Sequence, residues 1–289
     1  MILKGIVPAL LYVFLCTSAA YAIDLGGITK YFNSAKTAAG SITKAARPIS
    51  DEEEYYVGRA VAAKILGTYK LLENKELTLY VNLVGRTITL SSDKPFTYSG
   101  YHFGVLDTDE VNAFACPGGT ILITKGMLKT TRSEDELAAV LAHEVAHISK
   151  RDGIGAISSS RWTEALTVIG SEAAKTYGPS DISKLVGIFE GSIDDVFKTL
   201  VVNGYGKSQE FAADTSALQY LEKSGYNPAA LNDFLKHLSE IGQASGGGIT
   251  KTHPGTPDRI KNISGKLPSV IIDPQALQKR TSRFSAVPK

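Results

Sequence analysis

Apolar residues recur at helical spacing along most of the chain, and this pattern predicts its main elements. Helices are predicted near 51–69 and 74–90, and a strand near 101–107. Strand-like runs on either side of Pro117-Gly118, a pair that suits a type II turn, predict a hairpin over 111–124. The expected fold is therefore α+β and mainly helical, with one small antiparallel sheet.

Helices also dominate the prediction for the C-terminal half, although the tail after Pro268 is poorly periodic. The expected segments are a helical insert over about 155–200 broken at Gly178-Pro179, a helix over 206–221, and a helix from Asn227-Pro228 to Ile241.

The segment from Ser133 to Ile148 predicts a buried helix. Ser133-Glu134-Asp135-Glu136 has the form of a capping box, with Ser133 as the N-cap and Glu136 reaching back to it. Gly153 supplies a stop after the last turn. The apolar positions are Leu137, Val140, Leu141, Val145 and Ile148.

Within this helix lies the run His143-Glu144-Val145-Ala146-His147. Two histidines four residues apart stand on one face of a helix, where both imidazoles can bind a single zinc ion. Glu144 projects about 100° further round the helix, so it reaches a zinc-activated water rather than the metal. The alternative is a solvated face that carries two histidines by chance. The apolar surroundings disfavour that alternative, because a buried histidine pair needs partners for its polar atoms.

A catalytic zinc site has three protein ligands and one open position. The residues after His147 contain no nearby third histidine, which excludes the metzincin pattern. In the helix over 206–221, Glu210 and Asp214 lie four residues apart on one face, where two acids repel unless a cation lies beside them. We interpret Glu210 as the third ligand and Asp214 as the group that orients a ligand histidine. An exposed acidic pair is the alternative.

Taken together, these motifs resemble those of the gluzincin peptidases of the HtpX/BepA/LoiP-like family, which is related to the CAAX prenyl proteases. Asn112-Ala113-Phe114 with Pro117-Gly118-Gly119, and Thr252-His253-Pro254 with Arg259, resemble two further motifs of that family. The four motifs occur in family order between about Glu52 and Ile263.

The resemblance implies a zincin-like fold with one zinc ion per chain and with the small sheet bordering the zinc cleft. It places His253 and Arg259 near the metal, where donors can stabilise an oxyanion. It also makes Asn112, Ala113 and Phe114 part of a strand that binds an extended peptide by strand addition. From the residues alone, His253 is equally well a solvated loop residue, and an ordinary core hairpin is the favoured interpretation of residues 111–124.

Gly246-Gly247-Gly248 precedes His253 and predicts a mobile loop, because glycines cost backbone entropy to order. The imidazole therefore has two candidate roles. It can stabilise the oxyanion when substrate is bound, or it can fill the open zinc position and leave the resting enzyme partly self-inhibited.

The N-terminus predicts export to the periplasm. Met1 to Lys4 form a short basic region, Gly5 to Leu15 are apolar, and Ala20-Tyr21-Ala22 fits a signal peptidase site. The alternative is a lipoprotein anchored at Cys16. The bulky residues before that cysteine disfavour this alternative, because small residues are expected there. The predicted organisation is a signal peptide over 1–22, a flexible leader over 23–50, a zinc metallopeptidase domain over 51–267 and a C-terminal tail over 268–289.

Composition adds limits. The formal net charge of +2 becomes +1 when Lys4 leaves with the signal peptide, so nothing favours a nucleic-acid partner. Cys116 would be the one cysteine left, which excludes an internal disulfide. Charged residues interrupt the later apolar runs, so no membrane span is expected in the mature chain.

The sequence thus predicts a zinc endopeptidase of the cell envelope, in which zinc-activated water attacks and Glu144 is the general base. By resemblance, its partners are misfolded or misassembled polypeptides, outer-membrane proteins among them. The chain shows no tetratricopeptide repeats, which BepA-like members carry. The rival interpretation is a zinc-stabilised periplasmic chaperone or binding protein with little or latent proteolysis.

Overall fold

A computed structural model describes residues 48–157, 190–245 and 248–287. The predicted signal peptide, the leader up to residue 47 and the part of the predicted insert from 158 to 189 lie outside the described residues.

Helices surround one small sheet. The N-terminal elements are α1 (Asp51–Leu66), α2 (Lys75–Leu90), β1 (His102–Leu106), β2 (Ala113–Cys116), β3 (Thr120–Thr124), α3 (Lys125–Thr130), α4 (Glu134–Ser149) and α5 (Asp152–Gly155). After the gap come α6 (Glu190–Lys198), a π-helical turn (Thr199–Asn203), α7 (Lys207–Lys223), α8 (Ala229–Ser245), α9 (Ile249–Thr252), α10 (Thr256–Ser264) and α11 (Pro274–Ala286).

The sheet has the strand order β1-β3-β2, so β3 is central. β2 and β3 form the predicted antiparallel hairpin, whereas β1 pairs parallel to β3, with His102 opposite Thr120. The α+β class is confirmed, but the sheet is mixed rather than wholly antiparallel. The reason is that the chain reverses between β1 and β2 and again at the hairpin, which leaves β1 and β3 running the same way.

The hairpin turn packs directly against α1. Gly118 has φ 76° and ψ 2°, the values of the third position of a type II turn. On α1, a Cβ atom added to Gly58 would lie 1.7 Å from the carbonyl oxygen of Pro117. Glycine at position 58 therefore lets the helix backbone touch the turn.

The sheet is buried on both faces. Ala113 and Ala115 belong to a core that includes α4, while Phe114 and Cys116 pack in a second core with α1 and α6. Burial raises the pKa of the Cys116 thiol, which is free. The two cores hold the hairpin between α1 and α4.

Helix α4 lies in the centre of the molecule, and every residue from Glu134 to Ile148 is buried. The Oγ atom of Ser133 accepts a hydrogen bond from the backbone N–H of Glu136 at 3.1 Å, as predicted. The carboxylate of Glu136 does not complete the capping box, because it accepts from the N–H of Arg132 at 2.7 Å. The helix ends at Ser149, and Arg151 then adopts a left-handed conformation with φ 58°.

The prediction that the tail lacks periodic structure is wrong, because α11 is a helix of 13 residues. It docks on the first turn of α4 through ion pairs, between Arg280 and Asp135 at 3.1 Å and between Arg283 and Glu134. Phe284, near the end of α11, also packs against the core. Among the described helices, none is both long and apolar enough to cross a membrane.

Candidate metal centre

Two central helices bring three predicted ligands together. His143 and His147 stand one turn apart on α4, and Glu210 faces them from the first turn of α7. The Nε2 atoms of the two histidines are 3.0 Å apart. The carboxylate oxygens of Glu210 lie 3.5 Å from each of those atoms, Oε2 from His143 and Oε1 from His147.

These separations fit a tetrahedral zinc ion. Zinc binds histidine nitrogen and carboxylate oxygen at about 2.0–2.2 Å, so neighbouring donors of a tetrahedral site lie about 3.3 Å apart. Two neutral imidazoles and one carboxylate are also a donor set that zinc prefers in catalytic sites. The three residues therefore satisfy both the distance and the chemical requirement for the metal.

A carboxylate orients each histidine from behind. Asp214 Oδ1 lies 2.9 Å from His143 Nδ1, and Asp152 Oδ2 lies 2.7 Å from His147 Nδ1. An N–H donated from Nδ1 leaves the lone pair of Nε2 pointing at the metal position. Asp214 lies where the spacing from Glu210 placed it, but the sequence interpretation missed Asp152.

Tyr205 is a second residue that the sequence interpretation missed. Its ring stacks on the imidazole of His147 at 4.1 Å between centroids, with an interplanar angle of 20°. Burial, followed by the nearby charge of Glu144, raises the pKa of its hydroxyl well above the usual value. A tyrosine just before the ligand helix was the available signal.

Arg259 lies at the back of the site. Its Nε and Nη2 atoms donate to the two oxygens of Asp214 at 2.8 and 2.7 Å, and Nη1 lies 2.9 Å from Glu210 Oε2. The guanidinium is therefore occupied by two carboxylates. These contacts favour a positioning role over the oxyanion role expected from the resemblance.

His253 lies within the donor cluster. Its Nδ1 atom is 3.0 Å from Glu210 Oε1 and 3.2 Å from His143 Nε2, and the four residues His143, His147, Glu210 and His253 offer donors within 4.8 Å of one another. The described part of the preceding glycine run begins at Gly248, whereas Gly246 and Gly247 lie outside the described residues. Nδ1 of His253 therefore lies at ligand spacing from the donor atoms of His143 and Glu210.

Two hydrogen bonds hold the segment that carries His253. Ile249 N–H donates to the carbonyl of Val111 at 2.8 Å, and Thr252 Oγ1 donates to Asn112 Oδ1 at 3.1 Å. Both acceptors lie directly before β2. The predicted substrate-strand residue Asn112 thus has its side chain turned to the His253 segment.

Ala113 and Phe114 are each 1% exposed, and their side chains pack in the two cores. β2 is an edge strand of the sheet in the part of the chain that the structure describes. A peptide-binding role for residues 112–114 stays a prediction that rests on this edge.

Glu144 is buried beside the metal position, and neither of its carboxylate oxygens has a hydrogen-bond partner among the described residues. The imidazole of His253 lies nearby, with Nε2 at 3.7 Å from Oε1. A buried carboxylate without a donor is an acceptor that is free for a proton.

Burial alone disfavours every charge at this site. It raises the pKa of Glu210 and of Asp214, but neighbouring groups outweigh it and hold both pKa values below the usual range. For Glu210 these are chiefly His253 and Arg259, and for Asp214 they are Arg259 and His143. Burial lowers the pKa of His143, yet Asp214 and Glu210 together raise it to about 9. The surroundings therefore favour ionised carboxylates next to a cation.

An apolar cavity of about 20 Å³ adjoins His143, Glu144 and His253. Its walls come from α3, α4, α8 and α9. The apolar lining residues are Met127, Val140, Leu231, Phe234, Leu235, Leu238 and Ile249.

The remaining histidines of the described chain lie apart from this centre. His102 Nε2 contacts the carbonyl of Ser99 at 3.0 Å, and His237 contacts Arg132 at the surface.

Sequence comparisons agree with this arrangement. The profile of Peptidase family M48 matches residues 75–267. Beta-barrel assembly-enhancing protease of Escherichia coli (strain K12) is 25% identical over 248 residues, 85% of this chain and 50% of that protein. Protease HtpX homolog of Salinibacter ruber is 29% identical over 182 residues, 55% of this chain and 65% of that protein.

A mitochondrial protein is similar as well. Mitochondrial metalloendopeptidase OMA1 of Schizosaccharomyces pombe is 26% identical over 195 residues, which are 66% of this chain and 53% of that protein. The chain spans about half the length of the curated relatives it matches.

Proposed function

The chain belongs to peptidase family M48, and from this premise we propose that it is a zinc-dependent endopeptidase. Family membership confirms the resemblance to gluzincin peptidases that the four motifs carry. One observation supports the activity above all others. Buried donors from His143, His147 and Glu210 surround one point at zinc-like spacing, and Glu144 stands beside that point without a partner.

Each residue then has a defined task. Zinc, when bound by His143, His147 and Glu210, polarises the scissile carbonyl and lowers the pKa of the attacking water. Glu144 takes the proton of that water on its unpaired carboxylate and passes it to the leaving nitrogen. No covalent bond between enzyme and substrate is required.

The residues behind the ligands keep them in place. Asp214 and Asp152 hold the two imidazoles by their Nδ1 atoms, and Arg259 neutralises Asp214 and Glu210. We therefore assign Arg259 to positioning and not to oxyanion stabilisation. His253 has two candidate tasks, oxyanion stabilisation and occupation of the open zinc position.

The proposed substrates are unfolded or misassembled polypeptides of the cell envelope. An edge strand beside the site can hold an extended chain through its backbone, which gives little preference among side chains. The name of the Escherichia coli relative, a beta-barrel assembly-enhancing protease, supports outer-membrane proteins as one source of substrate.

Glu144→Gln tests the mechanism. Purified protein should contain one zinc per chain, and the variant should keep its zinc and its fold but lose turnover of an unfolded protein such as casein by about a thousandfold. Metal analysis, circular dichroism and the turnover assay decide this together. His143→Ala should lose the zinc.

A matched control is Glu222→Gln, on an exposed glutamate of α7, which should leave turnover unchanged. Normal turnover in Glu144→Gln would contradict the mechanism. Zinc-dependent binding of unfolded protein without cleavage, in wild type, would favour the rival function of a zinc-stabilised periplasmic chaperone.

A further inference from the structure

Arg151 has a backbone conformation that is unusual for its residue type. Among the described residues it is the one non-glycine with positive φ, at φ 58° and ψ 32°. The left-handed region costs an L-residue free energy, because Cβ approaches the following carbonyl oxygen. Such residues persist where their surroundings hold them, and they cluster at functional sites.

The left-handed turn changes which side chain reaches His147. If α4 continued, residue 151 would lie on the face of His147, and Asp152 would point about 140° away from it. The turn instead directs Arg151 away from the metal centre and brings Asp152 Oδ2 to 2.7 Å from His147 Nδ1. The strained residue is thus the reason that His147 has a carboxylate partner.

A buried glutamate on α1 holds the turn. Arg151 Nε donates to Glu54 Oε2 at 2.7 Å, and the side chain of Glu54 is 0% exposed. Arg151 Nη2 also contacts Asp51, but that side chain is 58% exposed. A buried carboxylate requires paired cations, whereas a solvated ion pair contributes little.

The same carboxylate reaches two other parts of the molecule. Glu54 Oε1 accepts from the N–H of Gly118 in the hairpin turn at 3.3 Å, and Oε2 accepts from Lys94 Nζ at 3.1 Å. These contacts fix Glu54 itself. The arginine therefore binds to an anchor that does not move with α4.

We propose that Glu54 is a positioning residue for the metal centre, because through Arg151 it holds the left-handed turn that places Asp152 against His147. The proposal rests on the zinc site of the proposed function. It concerns a residue on a different helix from every metal ligand.

Zinc affinity, measured by competition with a chromophoric chelator, tests the proposal. Glu54→Gln keeps the shape of the side chain and removes its charge, and should weaken zinc binding about tenfold, as should Asp152→Asn. Asp51→Asn removes the exposed partner of the same arginine and is the matched control, with an expected change of less than about twofold.

A glycine substitution separates positioning from general support of the fold. Glycine adopts the left-handed conformation without strain, so Arg151→Gly should keep zinc affinity within about twofold of wild type, whereas Arg151→Ala should lose about tenfold. This pair does not depend on Glu54→Gln folding. In the double variant Glu54→Gln/Arg151→Gly, zinc affinity should return to near the wild-type value.

Equal zinc affinity in Glu54→Gln and wild type would overturn the proposal. So would equal losses in Arg151→Gly and Arg151→Ala, or a double variant that stays weak, because each result would mean that the turn does not transmit the effect. Wild-type protein that binds no zinc would refute the proposed function instead.

Discussion

At the scale of single residues, His253 is the side chain with two candidate roles, which a substitution can distinguish. Its Nδ1 lies at donor distance from Glu210 and His143, where it would complete the coordination of zinc and exclude water. We therefore expect His253→Ala to raise the initial rate of casein cleavage, by about tenfold if the closed form is nine times as populated as the open form. A fluorogenic casein assay at saturating zinc measures this.

The control for this prediction is His237→Ala, a surface histidine away from the metal centre, which should leave the rate unchanged. A fall in turnover in His253→Ala, with zinc content intact, would contradict self-inhibition and support the oxyanion role.

At the scale of elements, the contact between α1 and the hairpin turn leaves no room for a side chain at position 58. A Cβ at Gly58 would lie 1.7 Å from the Pro117 carbonyl oxygen, so one of the two backbones must move. Gly58→Ala should lower the free energy of unfolding by about 2–3 kcal/mol. Urea denaturation followed by circular dichroism measures the difference.

Gly155 in the short helix α5 is the matched site, because a Cβ there would meet nothing within 4 Å. Gly155→Ala should leave stability unchanged or raise it slightly. Equal effects of the two alanines would show that α1 does not press on the turn.

At the scale of the whole molecule, export is the prediction that the N-terminal sequence makes. Protein recovered from the periplasmic fraction should begin at Ile23 and carry no acyl group, because Ala20-Tyr21-Ala22 fits signal peptidase. Intact-mass spectrometry checks this directly.

Cys16→Ser should then leave the mass of the mature protein unchanged. A diacylglycerol adduct on Cys16 in the wild-type protein, lost in that variant, would instead establish a lipoprotein.

Helical periodicity explains how much of the site could be predicted. Spacings of four residues predict that His143 and His147 share one face of α4, and that Glu210 and Asp214 share one face of α7. In the structure these two faces lie against each other. Asp152 was not predicted because a left-handed residue, Arg151, interrupts the helix register before it. An arginine does not indicate a left-handed conformation in the sequence.

The larger arrangement was less accessible from sequence. The parallel pairing of β1 with β3 requires that β1 and β2 lie on opposite sides of β3. No pattern within the individual strand sequences determines that strand order. Helix α11 was missed because ion pairs with the start of α4 make much of its contact, and it contributes few apolar residues, such as Phe284, to the core.

The complete burial of α4 determines how the protein loses activity when it unfolds. Both histidines and the general base stand on the most enclosed helix, so opening it exposes the centre of the fold. We expect peptidase activity to end together with global unfolding, with no partly unfolded species that still cuts. If its substrates are unfolded chains, as proposed, a copy that unfolds loses its own activity and becomes a substrate for intact copies in the same event.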